Sequence, residues 1–137
     1  MASFEVNGID ALTADLTALA EIPDDVLDAM LEAEATVIED AQRRTAFSMG
    51  VHRTGMMISS ISRTKIKTNK HGRFLLVYPQ GKNKQGIRNA EVAFINEYGK
   101  TKQPARPFVD TANRQYAAAA GEAAERVYNT FADKFNF

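Results

Sequence analysis

The stretch from Phe94 to Ala112, FINEYGKTKQPARPFVDTA, limits the fold more than any other, because it sets a glycine break, a polar loop and two prolines between two apolar periodic segments. Gly99 can take a positive φ where the preceding segment stops. Pro104 holds the loop extended, and Pro107 suits the first turn of a new helix. Beyond it Val109, Ala112, Tyr116, Ala119, Ala120, Ala123, Val127, Phe131 and Phe135 fall on one stripe, which predicts a helix of six to seven turns over about 107–134. Gly121 weakens that helix slightly or lets another element come close, and the alanine run from Ala117 to Ala120 keeps it slim. The segment ahead of the break, Asn89 to Tyr98, has a strand-like composition in VAFINEY. Asn89 before it and Gly99 after it are cap residues, so a short helix is expected.

The first half of the chain reads as helices followed by a hairpin. Phe4-Glu5-Val6 suits an edge strand or an arm, and Asn7 offers an N-cap with Asp10 three residues on. Ile9, Leu12, Leu16, Leu19 and Ala20 then repeat at helical spacing up to Pro23. Asp24 and Asp25 put negative charge at the positive end of a second, longer helix. Its stripe is Val26, Leu27, Met30, Leu31, Val37, Ile38 and Ala41, with Arg43 and Arg44 near its C-terminal end and a stop close to Gly50. The N-terminal helices thus occupy about 8–48. Thr54-Gly55 precedes a brief helical turn carrying Met57, Ile58 and Ile61. Arg63 to Thr68 alternates, Arg73 to Tyr78 is apolar and β-prone, and Asn69-Lys70-His71-Gly72 supplies a turn, so a β-hairpin is expected over about 63–80. Residues 79–88 form a polar, basic, exposed loop. The fold class is α+β: a small antiparallel hairpin packed with a long N-terminal and a long C-terminal helix, in one domain spanning 1–137.

Charge is sorted along this order although the formal net charge is zero. Residues 1–42 hold eleven acids and no Lys or Arg, residues 43–90 hold eleven bases and no acid, and residues 91–137 hold six of each. Two readings fit. Either the blocks are complementary faces of a polar subunit, with Asp28, Glu32 and Glu39 on one side and Arg63, Lys65, Lys67, Lys82, Lys84 and Arg88 on the other, or they lie against each other within one fold. Arg63, Lys65 and Lys67 at alternate positions are expected to line one face of a strand, a surface also suited to non-specific contact with DNA phosphates. The chain has no cysteine, which excludes disulfides and thiolate zinc sites and favours a reducing compartment. The N-terminus lacks the basic and apolar regions of a signal peptide, and no apolar run approaches the roughly 18 residues of a membrane helix, so a soluble protein without membrane contact is expected.

Catalytic chemistry finds no support in the residue pattern. His52 and His71 lie apart in polar, turn-like segments, and neither has a partner at metal-ligand spacing. Asp24, Asp25 and Asp28 are ordinary helix-start electrostatics before they are a cation site. Ser59 and Ser60 have no local base and suit a helix end. Glu97 and Arg106 flank the glycine-proline loop and are expected to pair across it. No catalytic residue, metal, cofactor or small-molecule substrate is therefore expected.

Two signatures carry a family resemblance. Thr54-Gly55-Met56-Met57-Ile58-Ser59-Ser60-Ile61 resembles T-G-x-L-x-x-S-I, and Glu97-Tyr98-Gly99 with Ala105-Arg106-Pro107-Phe108 and Ala112 resembles E-(F/Y)-G-T…A-R-P-F…A. In this order they are similar to the gene-product-ten tail-component family of long-tailed bacteriophages, small neck proteins where head meets tail. The pattern differs at Met57 in place of leucine, at Lys100 between Gly99 and Thr101, and at Thr111 in place of proline. The resemblance implies a non-enzymatic head-tail connector subunit of the virion, assembled in the host cytoplasm into a sixfold or twelvefold homo-oligomeric ring. Its implied partners are further copies of itself, neighbouring neck and head-closure or adaptor proteins, and tail-terminator or tail-tube proteins. Thr54, Gly55, Glu97, Tyr98, Gly99, Arg106, Pro107 and Phe108 are then shape-determining. Tail-completion and tail-terminator rings share the size and the α+β plan, and the resemblance leaves open which ring this is.

Overall fold

The computed structural model describes residues 22–51 and 55–135. The N-terminal strand or arm, the short helix after Asn7, and His52, Arg53 and Thr54 lie outside the described residues.

Helix α1 runs from Asp24 to Ser48. Its first turn is held by Val26 N–H and Leu27 N–H donating to the Pro23 carbonyl, with Asp24 and Asp25 at the positive end of the dipole. It ends in a Schellman arrangement: Gly50 takes φ +80°, Gly50 N–H donates to Phe47 O and Val51 N–H to Ala46 O. The helix therefore extends a turn past Arg43 and Arg44, and its last turn carries no base. Gly55, at φ +75°, starts the one-turn helix α2 (Met56–Ser59). Ser59 and Ser60 donate their hydroxyls to Met56 O and Met57 O at its end.

The hairpin is present but interrupted. Strands β1 (Ile61–Arg63) and β4 (Val77–Pro79) form its base, β2 (Lys67–Asn69) and β3 (Gly72–Phe74) its tip. Arg63 pairs with Val77 and Lys67 with Phe74, which leaves three residues, Thr64 to Ile66, opposite two, Leu75 and Leu76. One extra residue shifts the register and turns side chains beyond it to the other face. Arg63, Lys65 and Lys67 thus do not line one face as expected: Arg63 reaches toward α1, as does Arg73, whereas Lys67 is paired with Phe74 and so lies on the other face of the ladder from Arg73 and its partner Thr68.

The polar loop is organised by Asn83, whose side chain accepts from Gln85 N–H and Ile87 N–H while Lys82 bridges to Arg88. Helix α3 spans Asn89–Tyr98, settling the strand-or-helix ambiguity. Asn89 is its first residue rather than its cap; it is buried and donates to Gln80 O. Helix α4 (Phe108–Phe135, 28 residues) completes the fold, about 42 Å long at 1.5 Å per residue. It runs antiparallel to α1, since Phe108 packs with Ala46 and Gln42 donates to Asn113 Oδ1 at 3.1 Å.

Two kinds of packing hold these elements. At the corner end Ala46, Val51, Met57, Ile61, Ala93 and Phe108 form one buried cluster, with Phe108 and Ile61 fully enclosed. Along α1 and α4 the buried apolar residues are small, Ala35, Ala41 and Ala46 on one helix and Ala112, Ala120, Ala123, Ala124 and Ala132 on the other, with the polar Glu39 and Gln42 buried among them on α1. The larger residues of the expected stripes, such as Val37, Ile38 and Tyr116, flank this seam half-buried. Alanines let the helix backbones approach, and Gln42 is the large side chain enclosed between them.

Candidate interaction surface

Asp24, Asp28, Glu32, Thr36, Glu39 and Arg43 recur along α1 at three- to four-residue spacing, one polar stripe on one helical face. The hairpin lies on that stripe. Arg43 Nη2 donates to Ile61 O at 2.5 Å at the base. Further along, Arg63 Nη1 meets Glu32 Oε2 at 2.5 Å and Nη2 donates to Thr36 Oγ1 at 2.9 Å. Arg63 Nη2 also stands 2.6 Å from Glu39 Oε1, a charge contact off the hydrogen-bonding direction. At the tip Arg73 makes a two-pronged bond to Asp28, Nε to Oδ1 at 2.6 Å and Nη2 to Oδ2 at 2.7 Å, with Asp24 at 3.8 Å.

The acidic and basic blocks therefore meet within one chain. Asp28, Glu32, Glu39 and Arg63, read from sequence as contacts between subunits, hold the hairpin to its own helix. For Arg63, partial burial opposes the charge, but the Glu32 hydrogen bond and the charges of Glu39 and Glu32 outweigh it, and its pKa is raised above the ordinary arginine value. Arg73 is raised too, chiefly by its hydrogen bond to Asp28.

The remaining sequence candidates fall outside this pairing. Lys65, Lys67, Lys82, Lys84 and Arg88 are all exposed, and among the described residues none lies within 4 Å of a carboxylate. They form two groups at opposite ends of the hairpin, Lys65 and Lys67 toward the tip with Lys70, and Lys82, Lys84 and Arg88 behind the base.

The motif residues converge at the corner, but not in the expected pairs. Glu97 does not pair with Arg106. Its carboxylate accepts from Val109 N–H at 2.8 Å and Asp110 N–H at 3.1 Å, so a residue near the end of α3 caps the start of α4. Two donors that a helix start leaves orphaned are satisfied, and negative charge sits at the positive dipole end. Arg106 instead donates from Nη1 to Gly50 O at 3.1 Å, tying the corner to the end of α1, and its backbone N–H donates to Asn96 O at 2.6 Å. Gly99 has φ +76°, and a Cβ there would lie 2.7 Å from Gln103 O and 2.8 Å from Ala105 N. Lys100 and Gln103 close the turn by exchanging backbone hydrogen bonds at 2.9 Å.

Beside the corner α3 presents an aromatic face to solvent. Phe94 is 63% and Tyr98 69% exposed, with ring centroids 4.7 Å apart. Tyr78 extends the patch across the neighbouring groove. A groove of about 380 Å³ runs under the rings, lined by Tyr78, Ala93, Phe94, Tyr98, Val109 and Asn113. The apolar composition of VAFINEY did not by itself mark Phe94 as outward. Its helical phase relative to buried Ala93 is the signal that was there to read.

Among the described residues no group of three or more His, Cys, Asp or Glu is placed to hold a metal, and no helix is long and apolar enough to cross a membrane. His71 sits exposed in the hairpin turn, its backbone N–H donating to Asn69 Oδ1. No family model, curated protein or solved structure matches the chain.

Proposed function

We propose that the chain is a structural, non-catalytic subunit of the neck of a long-tailed phage, assembling into a ring that joins the head connector to the tail. The observation that carries this reading is the meeting of the two signatures at one corner: Gly55 opens the turn that delivers Met57 and Ile61 to the cluster around Phe108, while Glu97, Gly99 and Arg106 fix the direction of α4. Residues that carry the family resemblance are the residues that set the shape.

A ring subunit needs two different patches that fit each other on successive copies. The α3 face, with Phe94 and Tyr98 and the unpaired Lys82, Lys84 and Arg88 near its start, is one. The other is the outer face of α4, where exposed Glu122, Glu125 and Asp133 outnumber Arg126 and have no ion-pair partner among the described residues. Aromatic anchors rimmed by complementary charge suit such a contact, the rings supplying affinity and the charges register. Rings of the tail-completion or tail-terminator type would use the same two patches.

Native mass spectrometry of the purified chain, alone and with neighbouring neck and tail proteins, tests the reading. A closed oligomer of six or twelve copies is expected in at least one mixture; a monomer in all of them would refute it.

A further inference from the structure

The hairpin carries cations that the fold leaves without counter-charge. Residues 43–90 contain no acid, and the α1 carboxylates facing the hairpin are occupied by Arg63 and Arg73. Lys65, Lys67 and Lys70 are exposed along its outer part, and the extra residue between Arg63 and Lys67 turns Lys67 away from the acidic stripe. A regular ladder would have placed Lys67 on the face Arg63 uses. Within the hairpin the structure thus divides the cations by chemistry as well as by place. Planar guanidinium groups take the carboxylates, while compact ammonium groups on flexible stems stay in solvent, suited to phosphate as point charges. Between Lys65 and Gly72 there is no Phe, Tyr or Trp, and the one ring is the imidazole of His71, so the segment lacks the succession of stacking platforms a single strand uses, which favours a duplex backbone.

We infer that the outer hairpin, through Lys65, Lys67 and Lys70, contacts the phosphate backbone of duplex DNA without reading its sequence. The inference takes its setting from the ring reading, in which one hairpin per copy repeats the same three cations around a channel, but its chemistry holds for a single chain. Three contacts per copy predict a roughly forty-fold loss of affinity between about 50 and 200 mM salt, from the counterions released.

The test is fluorescence anisotropy of a labelled duplex of arbitrary sequence, about 20 base pairs long, across that salt range. Lys65→Glu/Lys67→Glu is compared with Arg126→Glu/Lys134→Glu, an equal charge change on exposed positions of α4. The first pair is expected to weaken binding at least about tenfold more than the second and to flatten the salt slope. Lys65→Gln/Lys67→Gln, which adds no repulsion, gives the same comparison should the glutamate variant not fold by circular dichroism. Absence of binding at the lowest salt, equal weakening by both pairs, or tighter binding of polyglutamate than of DNA would overturn the inference. Native mass spectrometry on the same samples separates the two readings. Rings that bind no DNA sink this inference alone, and a DNA-binding chain that forms no ring with any neighbour sinks only the ring.

Discussion

Gly99 and Glu97 show how two residues can decide the direction of a 28-residue helix. At Gly99 the positive φ and the backbone atoms 2.7 and 2.8 Å from a Cβ act together, and backbone cannot move aside as a flexible side chain can. Gly99→Ala should therefore cost ~2 kcal/mol or more, read as a lower midpoint in chemical denaturation. Of the glycines that lie at positive φ, Gly55, Gly72, Gly81 and Gly86 would meet nothing within 4 Å, so the same change there should cost less. For Glu97, Glu97→Ala removes both acceptors from the start of α4 and should cost ~1–2 kcal/mol; Glu97→Gln, keeping one acceptor and losing the charge, should recover part of that. The glycine was legible in sequence because an apolar period stops there and prolines follow. The glutamate was legible only as a charged residue near the loop. Its true partners are backbone N–H groups twelve and thirteen residues on, and no side-chain pattern announces a backbone donor.

At the scale of elements the hairpin belongs to α1 as much as to itself, since its short ladders are joined across an irregular middle and fastened from outside. Arg73 is the tip's fastening. Arg73→Gln should speed amide exchange in residues 67–74 while leaving α4 protected, because the loss is local opening rather than global unfolding. Arg63→Met should cost ~1–2 kcal/mol, because it strips Glu32 of its cation and leaves buried Glu39 with Arg43 alone, 3.4 Å from Oε2. Both guanidinium pKa values are raised, so their contribution is fully present below the ordinary arginine value and is lost only as pH climbs through the folded one. The difference in exchange between wild type and Arg73→Gln should therefore hold steady from about pH 7 to 10. The hairpin and its turn could be read from alternation and from Asn69 to Gly72. The extra residue could not, because a one-residue slip leaves composition and period almost unchanged while reversing which lysines face the helix. The four-residue spacing of Asp24, Asp28 and Glu32 was visible, but spacing alone does not say whether the matching arginines come from the same chain or another.

For the whole molecule, stability and the proposed assembly fall on different surfaces. The fold is held by the corner cluster, by the alanine seam of α1 and α4 and by the arginine fastenings, none of which involves Phe94 or Tyr98. Those two rings are exposed in the isolated chain, so removing them takes little packing from it, and substitutions at such sites usually change stability by no more than ~0.5 kcal/mol. In a ring the same rings would be enclosed by the next copy, and truncating a buried aromatic anchor costs about 2 kcal/mol or more at each contact. Because every contact in a closed ring carries the change, the effect multiplies around it. Phe94→Ala/Tyr98→Ala should thus leave the melting temperature of the single chain within a few degrees of wild type while abolishing the closed oligomer in native mass spectrometry. Phe108→Ala supplies the opposite case: losing a fully enclosed side chain should cost about 3–5 kcal/mol and lower the melting temperature before assembly is reached. Equal loss of folding and assembly in the Phe94/Tyr98 pair would mean that the aromatic face serves the fold, and the contact between copies would then have to be sought elsewhere on the molecule.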